Sequence, residues 1–168
     1  LVDDDDLIAK SYSNGVSMGG NLIAEDTQPF TFIAWAAKDP NSAPLQRLQI
    51  VKGWVDAGQA HERVYDVACA DGLEVDSLTH RCPGNGATVD LTDCRVSSGV
   101  GAAEIKANWE DPEYDSTQHA FYYVRAIENP TCRWSTWDAV RAGISPREDI
   151  PATIQERGWS SPIWISPK

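Results

Sequence analysis

At 168 residues, 42% of them hydrophobic and 23% charged, the chain has the composition of one ordinary globular domain, able to bury about two-thirds of its unfolded surface. Fourteen Lys and Arg against 25 Asp and Glu leave a net charge of −11, a field that repels phosphate backbones and anionic lipid and so argues against nucleic-acid partners. No apolar run approaches the roughly 20 residues of a membrane helix, so no membrane span is expected.

In chain order, DDDDLIAKSYS at 3–13 places four carboxylates where a helix N-terminus favours them, and Asn14-Gly15 supplies a stop. The aspartates are consecutive and lack the alternating oxygens of a calcium loop, so a solvated acidic end is the reading. Met18-Gly19-Gly20 reads as a close turn. Residues 28–37 then change to period two, with Phe30, Phe32 and Ala34 on one face and Thr31, Ile33 and Trp35 on the other, which predicts a central strand. Leu45–Val55 follows as a second strand with Leu48, Ile50, Lys52 and Trp54 on one side, and Glu62–Ala68 as a third. Residues 71–86 form a long loop that needs a cross-link to sit in a compact domain. Short strands are expected at 87–91 and 102–109, and the strongest at 120–128, where Phe121, Tyr123, Arg125 and Ile127 alternate with Tyr122, Val124, Ala126 and Glu128. Thr136–Arg141 reads as one or two helical turns ending at Gly143, and 160–165 as a last strand.

Seven short strands with turn signals between them predict a mainly β fold. The expected architecture is an antiparallel immunoglobulin-like β-sandwich over 28–168 with one or two short helices, preceded by a connecting helix or segment over 1–27. The chain starts at Leu1, holds Met18 as its only methionine and shows no signal peptide, which reads as a processed chain or an excised domain.

Cys69, Cys82, Cys94 and Cys132 contain no Cys-x-x-Cys, and His61, His80 and His119 do not stand at zinc-finger spacing. Two disulfides in a periplasmic or extracellular protein are therefore expected, paired as Cys82–Cys94 and Cys69–Cys132. No nucleophile elbow, phosphate-binding loop or zinc helix is present. His119 follows Asp111, Glu113 and Asp115, a set that reads as a surface loop anchored by Tyr114 rather than a metal site.

Arg125 lies in an apolar strand and needs a partner, for which Glu128, Asp138 and Glu156 are candidates; Arg133 needs either a partner or an indole to stack on. Trp134, Trp137, Trp159 and Trp164 crowd the last third of the chain. Arg133, Trp134, Trp137 and Trp159 are the candidate binding or domain-interface residues. Core or interdomain packing is the expected role of the tryptophans, with Trp134 in the core, and an exposed sugar platform is the alternative.

NGVSMGGNL at 14–22, FIAWAAKDP at 32–40, PLQRLQIVKGW at 44–54, ERVYDVACADG at 62–72, RCPGNGATVDL at 81–91, AFYYVRAIENPTCRWSTWDAVRAG at 120–143 and PATIQERGWSSPIWI at 151–165 cover nearly the whole chain. In these runs it resembles the C-terminal portion of a bacterial family of unknown function whose full-length members look like exported metal-dependent hydrolases of the PHP type. The resemblance implies that a divalent metal belongs to an N-terminal part bearing a His-x-His pair, which this sequence does not contain. The expected function is a non-catalytic β domain, without a cofactor of its own, that packs on its own N-terminal hydrolase domain. The alternative is an independent carbohydrate- or ligand-binding module. A weaker possibility is that a few residues complete an active site across the domain junction.

Overall fold

The computed structural model describes residues 2–25 and 27–168. Its elements run α1 (Leu7–Asn14), β1 (Asn21–Ala24), β2 (Thr31–Ala37), β3 (Leu45–Asp56), β4 (Gln59–Cys69), β5 (Val89–Asp90), β6 (Arg95–Val96), β7 (Glu104–Glu110), β8 (Ala120–Glu128), β9 (Thr131–Cys132), α2 (Trp134–Ala142), β10 (Thr153–Ile154), β11 (Arg157–Trp159) and β12 (Ile163–Pro167).

The longest alternating runs pair with one another. β3 and β4 form a hairpin through the two-residue turn Ala57-Gly58, whose φ values of 47° and 76° match the twist of the flanking strands. On its other edge β3 pairs antiparallel with β8 from Leu45↔Glu128 to Trp54↔Ala120. The far edge of β8 is shared: β11 lies against Arg125–Ile127 and β12 against Ala120–Tyr122, and β1 adds to β12 in parallel. The six-stranded sheet therefore runs β1-β12-β8-β3-β4 with β11 beside β8.

A second layer, the antiparallel pair β2–β7, packs across one face of this sheet and makes the expected mainly β, antiparallel sandwich. Leu48 and Ile50 of β3 and Tyr122 of β8 meet Phe32 and Ala34 of β2 and Ile105 and Ala107 of β7. The aromatic centre is closely packed, with Phe32–Tyr122 and Tyr65–Trp109 centroids 4.6 and 5.0 Å apart. Fully burying a side chain such as Leu48 or Ile50 contributes about 1.5–3 kcal/mol.

The expectation of a central strand at 28–37 is corrected: β2 pairs with β7 only, in a sheet of two. Its second apolar face arises because Trp35, half-exposed, lies under the ammonium of Lys106 at 4.0 Å and bonds Glu104 through its indole nitrogen. That face is an amphipathic surface rather than a second core.

Inside the sandwich lies a buried charge. The Lys52 ammonium, on the inner face of β3, is 2.5 Å from Asp111 Oδ2 and donates to the Glu113 carbonyl at 2.7 Å. Tyr122 donates to the same Asp111 oxygen at 2.7 Å, and the Glu113 amide donates to Asp111 Oδ1 at 2.8 Å. Glu113 in turn pairs with Arg63 and accepts from the Tyr65 hydroxyl at 2.9 Å. The carboxylates beside His119 are thus divided among separate structural tasks: Asp111 holds Lys52, Glu113 holds Arg63 and Tyr65, and Asp115 caps its own turn at Thr117.

Both disulfides form, but not in the expected pairing. Cys69 bonds Cys82 and Cys94 bonds Cys132, with Cα separations of 5.7 and 5.6 Å. The long loop returns to the strand it left, because the Cys82 amide donates to Asp66 Oδ2 at 2.7 Å and the Asp66 amide to the His80 carbonyl at 2.9 Å. That brings Cys82 to the end of β4 and leaves Cys94, in the β5–β6 turn, to reach β9. Non-reducing peptide mapping is expected to recover Cys69–Cys82 and Cys94–Cys132 linked peptides. On chain entropy the crosslinks stabilise by about 3 and 4 kcal/mol; peptides linking Cys82 to Cys94 would contradict the loop's path.

Burial pushes the Tyr65 phenol well above its ordinary value, helped by Glu113, and pushes Tyr122 further, helped by Asp111. Both stay neutral in the folded protein at pH values where the unfolded chain ionises. Their contribution is therefore complete below about pH 10 and is lost as pH rises beyond it, by up to about 1.4 kcal/mol per pH unit for each phenol. Urea denaturation across this range is expected to show that fall, reduced in Tyr65→Phe; a flat profile in both proteins would contradict the buried phenols.

Candidate functional site

The six-stranded sheet has a second face, which β2–β7 does not cover, and its side chains follow from the register. Along β8 the outward positions are Phe121, Tyr123, Arg125 and Ile127. Across the β3–β8 ladder these face Gly53, Val51, Gln49 and Arg47, and across β3–β4 the last three face Val64, Asp66 and Cys69. On the other side, Trp164 of β12 pairs with Phe121, while Trp159 and Arg157 of β11 pair with Arg125 and Ile127. Alternation of side chains places each row on one face.

The face is divided in two. At the β1–β12 end it is apolar and aromatic: Phe121 packs 5.3 Å from Trp164 and 6.4 Å, nearly parallel, from Tyr123. The exposed Ile23 of β1 lies in the same stripe, and Val51, between Val64 and Tyr123, is fully buried. Gly53 is required beneath this stripe because the Phe121 ring occupies the space that a β-carbon would take.

At the other end the face is polar and cationic. Asp66, buried, accepts from Gln49 Nε2 at 2.5 Å and lies 3.6 Å from Arg47 Nε and 3.5 Å from Arg81 Nη1. Arg125 donates through Nε to Gln49 Oε1 at 2.7 Å. Arg47 Nε is buried without a hydrogen bond. Burial lowers the Arg47 guanidinium from its ordinary value; Asp66 opposes this, and Arg81, Arg125 and Arg157 add to it.

The sequence-predicted residues are not all brought together. Trp159 (61% exposed) stands on the outer face beside Arg125. Trp134 and Trp137 stand on α2, whose buried positions are Thr136 and Ala139, so Trp134 is 75% exposed and the expectation of a core role for it is corrected. α2 reaches Gly143 as expected, with that glycine in the left-handed region at φ 66°. Arg133 serves as its N-cap residue, its carbonyl accepting from the Thr136 and Trp137 amides. Its Nε is buried without a hydrogen bond, and it is Arg141 that stacks on Trp137, at 5.2 Å. Arg125 takes an amide, Gln49, rather than any of the three carboxylates expected for it.

Sequence reading missed Arg47, Arg81, Arg157 and Trp164 as members of one surface. The signal was the odd-numbered alternation of 121–127, but its neighbours appear only once β8 is paired with β3 and β11. The gap between these two tryptophan settings and the glycine is measurable. Trp134→Ala is expected to leave the midpoint of denaturation unchanged within about 0.5 kcal/mol, as surface changes do. Gly53→Ala is expected to cost about 1–3 kcal/mol by forcing Phe121 off the sheet. Equal effects of the two would contradict the assignment of faces.

Among the described residues no group of three or more His, Cys, Asp or Glu could hold a metal ion, and all four cysteines are in disulfides. Among the described residues no helix is long and apolar enough to cross a membrane. A family model with the description "Protein of unknown function (DUF3604)" matches residues 1–167. No curated protein and no solved structure matches the chain.

Proposed function

As the chain belongs to that family, whose description assigns no activity, we propose that it is a non-catalytic β domain of an exported, metal-dependent hydrolase of the PHP type, docked on the hydrolase part through the aromatic half of its outer sheet face. The observation that carries this reading is the stripe of Ile23, Trp164, Phe121 and Tyr123, packed ring against ring on the uncovered face of the central sheet. Large aromatic residues on a flat face, bordered by arginine, are the residues that dominate stable protein interfaces. The two disulfides suit an oxidising, extracellular or periplasmic setting. The hydrolase assignment rests on the sequence resemblance. The same resemblance assigns the divalent metal to the hydrolase part, and no chemical step is assigned to this chain.

The test is association between separately produced parts. The segment encoded upstream of Leu1 is purified with an affinity tag together with this chain, untagged. The two are expected to co-purify, and Trp164→Glu, which places a carboxylate on the stripe, is expected to abolish this while leaving the chain's circular dichroism unchanged. Absence of association between the unmodified parts, or association that survives Trp164→Glu, would contradict the proposal.

A further inference from the structure

The cationic half of the outer face holds more positive charge than negative. Arg47 and Arg81 lie against the carboxylate of Asp66, Arg125 is joined to it through Gln49, and Arg157 stands on β11 beside Ile127, in a chain whose net charge is −11. The one charge of Asp66 cannot offset four guanidinium groups. One of its oxygens accepts from Gln49 Nε2 at 2.5 Å and the other from the Cys82 amide at 2.7 Å, while the two arginines nearest it stand at 3.5 and 3.6 Å, outside ordinary hydrogen-bond reach.

The cluster is also held in place. Gln49 is fixed between Asp66 and Arg125, the Cys69–Cys82 disulfide fixes the loop that carries Arg81, and the β8–β11 ladder fixes Arg157 beside Ile127. Arg125 engages Gln49 through Nε, and among the described residues the exposed Arg157 has no ion-pair partner within 4.0 Å. A preorganised set of guanidinium forks is the arrangement that receives a planar carboxylate in bidentate fashion. Burial lowers the Arg47 guanidinium first, and Arg81, Arg125 and Arg157 lower it further against the pull of Asp66.

What stands next to the cluster restricts the ligand further. Trp159, directly across the ladder from Arg125, is 61% exposed, and Tyr123 follows Arg125 on the same face. An open indole face beside a cation offers an apolar surface to a ring that carries a negative charge. Gln49 and Asp66 are buried beneath the cluster, while Arg157 and Trp159 stand exposed along β11, which suits an extended ligand lying along that strand.

We propose that Arg125, Arg157, Arg47 and Arg81 form a binding site for an acidic saccharide of the uronic-acid type, its carboxylate held by the guanidinium groups and its sugar ring laid on Trp159. The site occupies the opposite half of the face from the docking stripe and does not depend on it. It gives the domain a role in holding a charged polysaccharide chain near whatever it is attached to.

The test uses the 168-residue chain itself. Calorimetric titration with trigalacturonate is expected to show binding, and the neutral galactose trisaccharide is expected to bind at least about tenfold more weakly, the worth of one charge-assisted hydrogen bond. Arg157→Ala and Trp159→Ala, both at exposed positions, are each expected to weaken trigalacturonate by about tenfold without moving the melting temperature. Added salt should weaken it further, as screening requires. Inorganic phosphate that competes as well as the saccharide, with Trp159→Ala silent, would reduce the cluster to a general anion site and overturn the saccharide assignment. Tighter binding of poly-glutamate than of trigalacturonate would make it a docking site for acidic protein and overturn it equally. So would equal affinity for the neutral trisaccharide, or no binding at all. None of these results bears on the association tested through Trp164.

Discussion

The contact between Lys52 and Asp111 is the constraint on which the sandwich depends. An ammonium on the inner face of the central strand is tolerable only if its charge is met, and Asp111, the first residue beyond β7, meets it at 2.5 Å. Because β3 belongs to the large sheet and β7 to the small one, this pair fixes how the two layers lie on each other. The rest of the polar cluster exists to satisfy it. Tyr122 and the Glu113 amide occupy the remaining capacity of Asp111, and the rings of Trp54 and Tyr122 lie 5.1 and 5.8 Å from the ammonium. Removing either member alone would strand a buried charge at a cost of about 3–5 kcal/mol, while the aliphatic residues around it would repack at far less.

That arrangement uses up the ionisable chemistry of the interior. Lys52, Asp111 and Tyr122 are closed on one another in the interior, and Tyr65 joins them to the half-exposed pair of Glu113 and Arg63. On the outer face the balance is reversed. Its aromatic side chains pack on the sheet but keep Trp159 and Trp164 in solvent, and its arginines outnumber the carboxylate among them. The aromatic and cationic halves then divide between docking and ligand holding, which is the division proposed for them.

How much of this could be read in the sequence differed by element for physical reasons. β8 was legible to the residue, since nine positions of uninterrupted alternation leave one solution. β3 and α2 were nearly so, the first from its apolar period and the second from Gly143, which only a helix C-terminus explains at that point. β1 was not legible, because four residues with an exposed Ile23 carry no signal until β12 lies beside them in parallel. The disulfide pairing failed for a related reason. The turn-rich loop between them favoured Cys82 with Cys94, but the partner was decided by the hydrogen bond that the buried carboxylate of Asp66 accepts from the Cys82 amide, a role that appears only in the folded sheet. The tryptophans were correctly marked as unusual and wrongly merged. α2 buries Thr136 and Ala139, so its indoles look outward in a different setting from the pair on β11 and β12.

The proposed docking requires the outer sheet face to be the surface that the hydrolase part covers. Oxidative footprinting of tryptophan reads this directly, comparing the isolated chain with the same chain inside the full reading frame. The expected result is protection of Trp164, with Trp159 shielded further when trigalacturonate is added, while Trp134 stays as reactive as in the isolated chain. A Trp164 equally reactive in both settings, or protection that falls on Trp134 in its place, would contradict it.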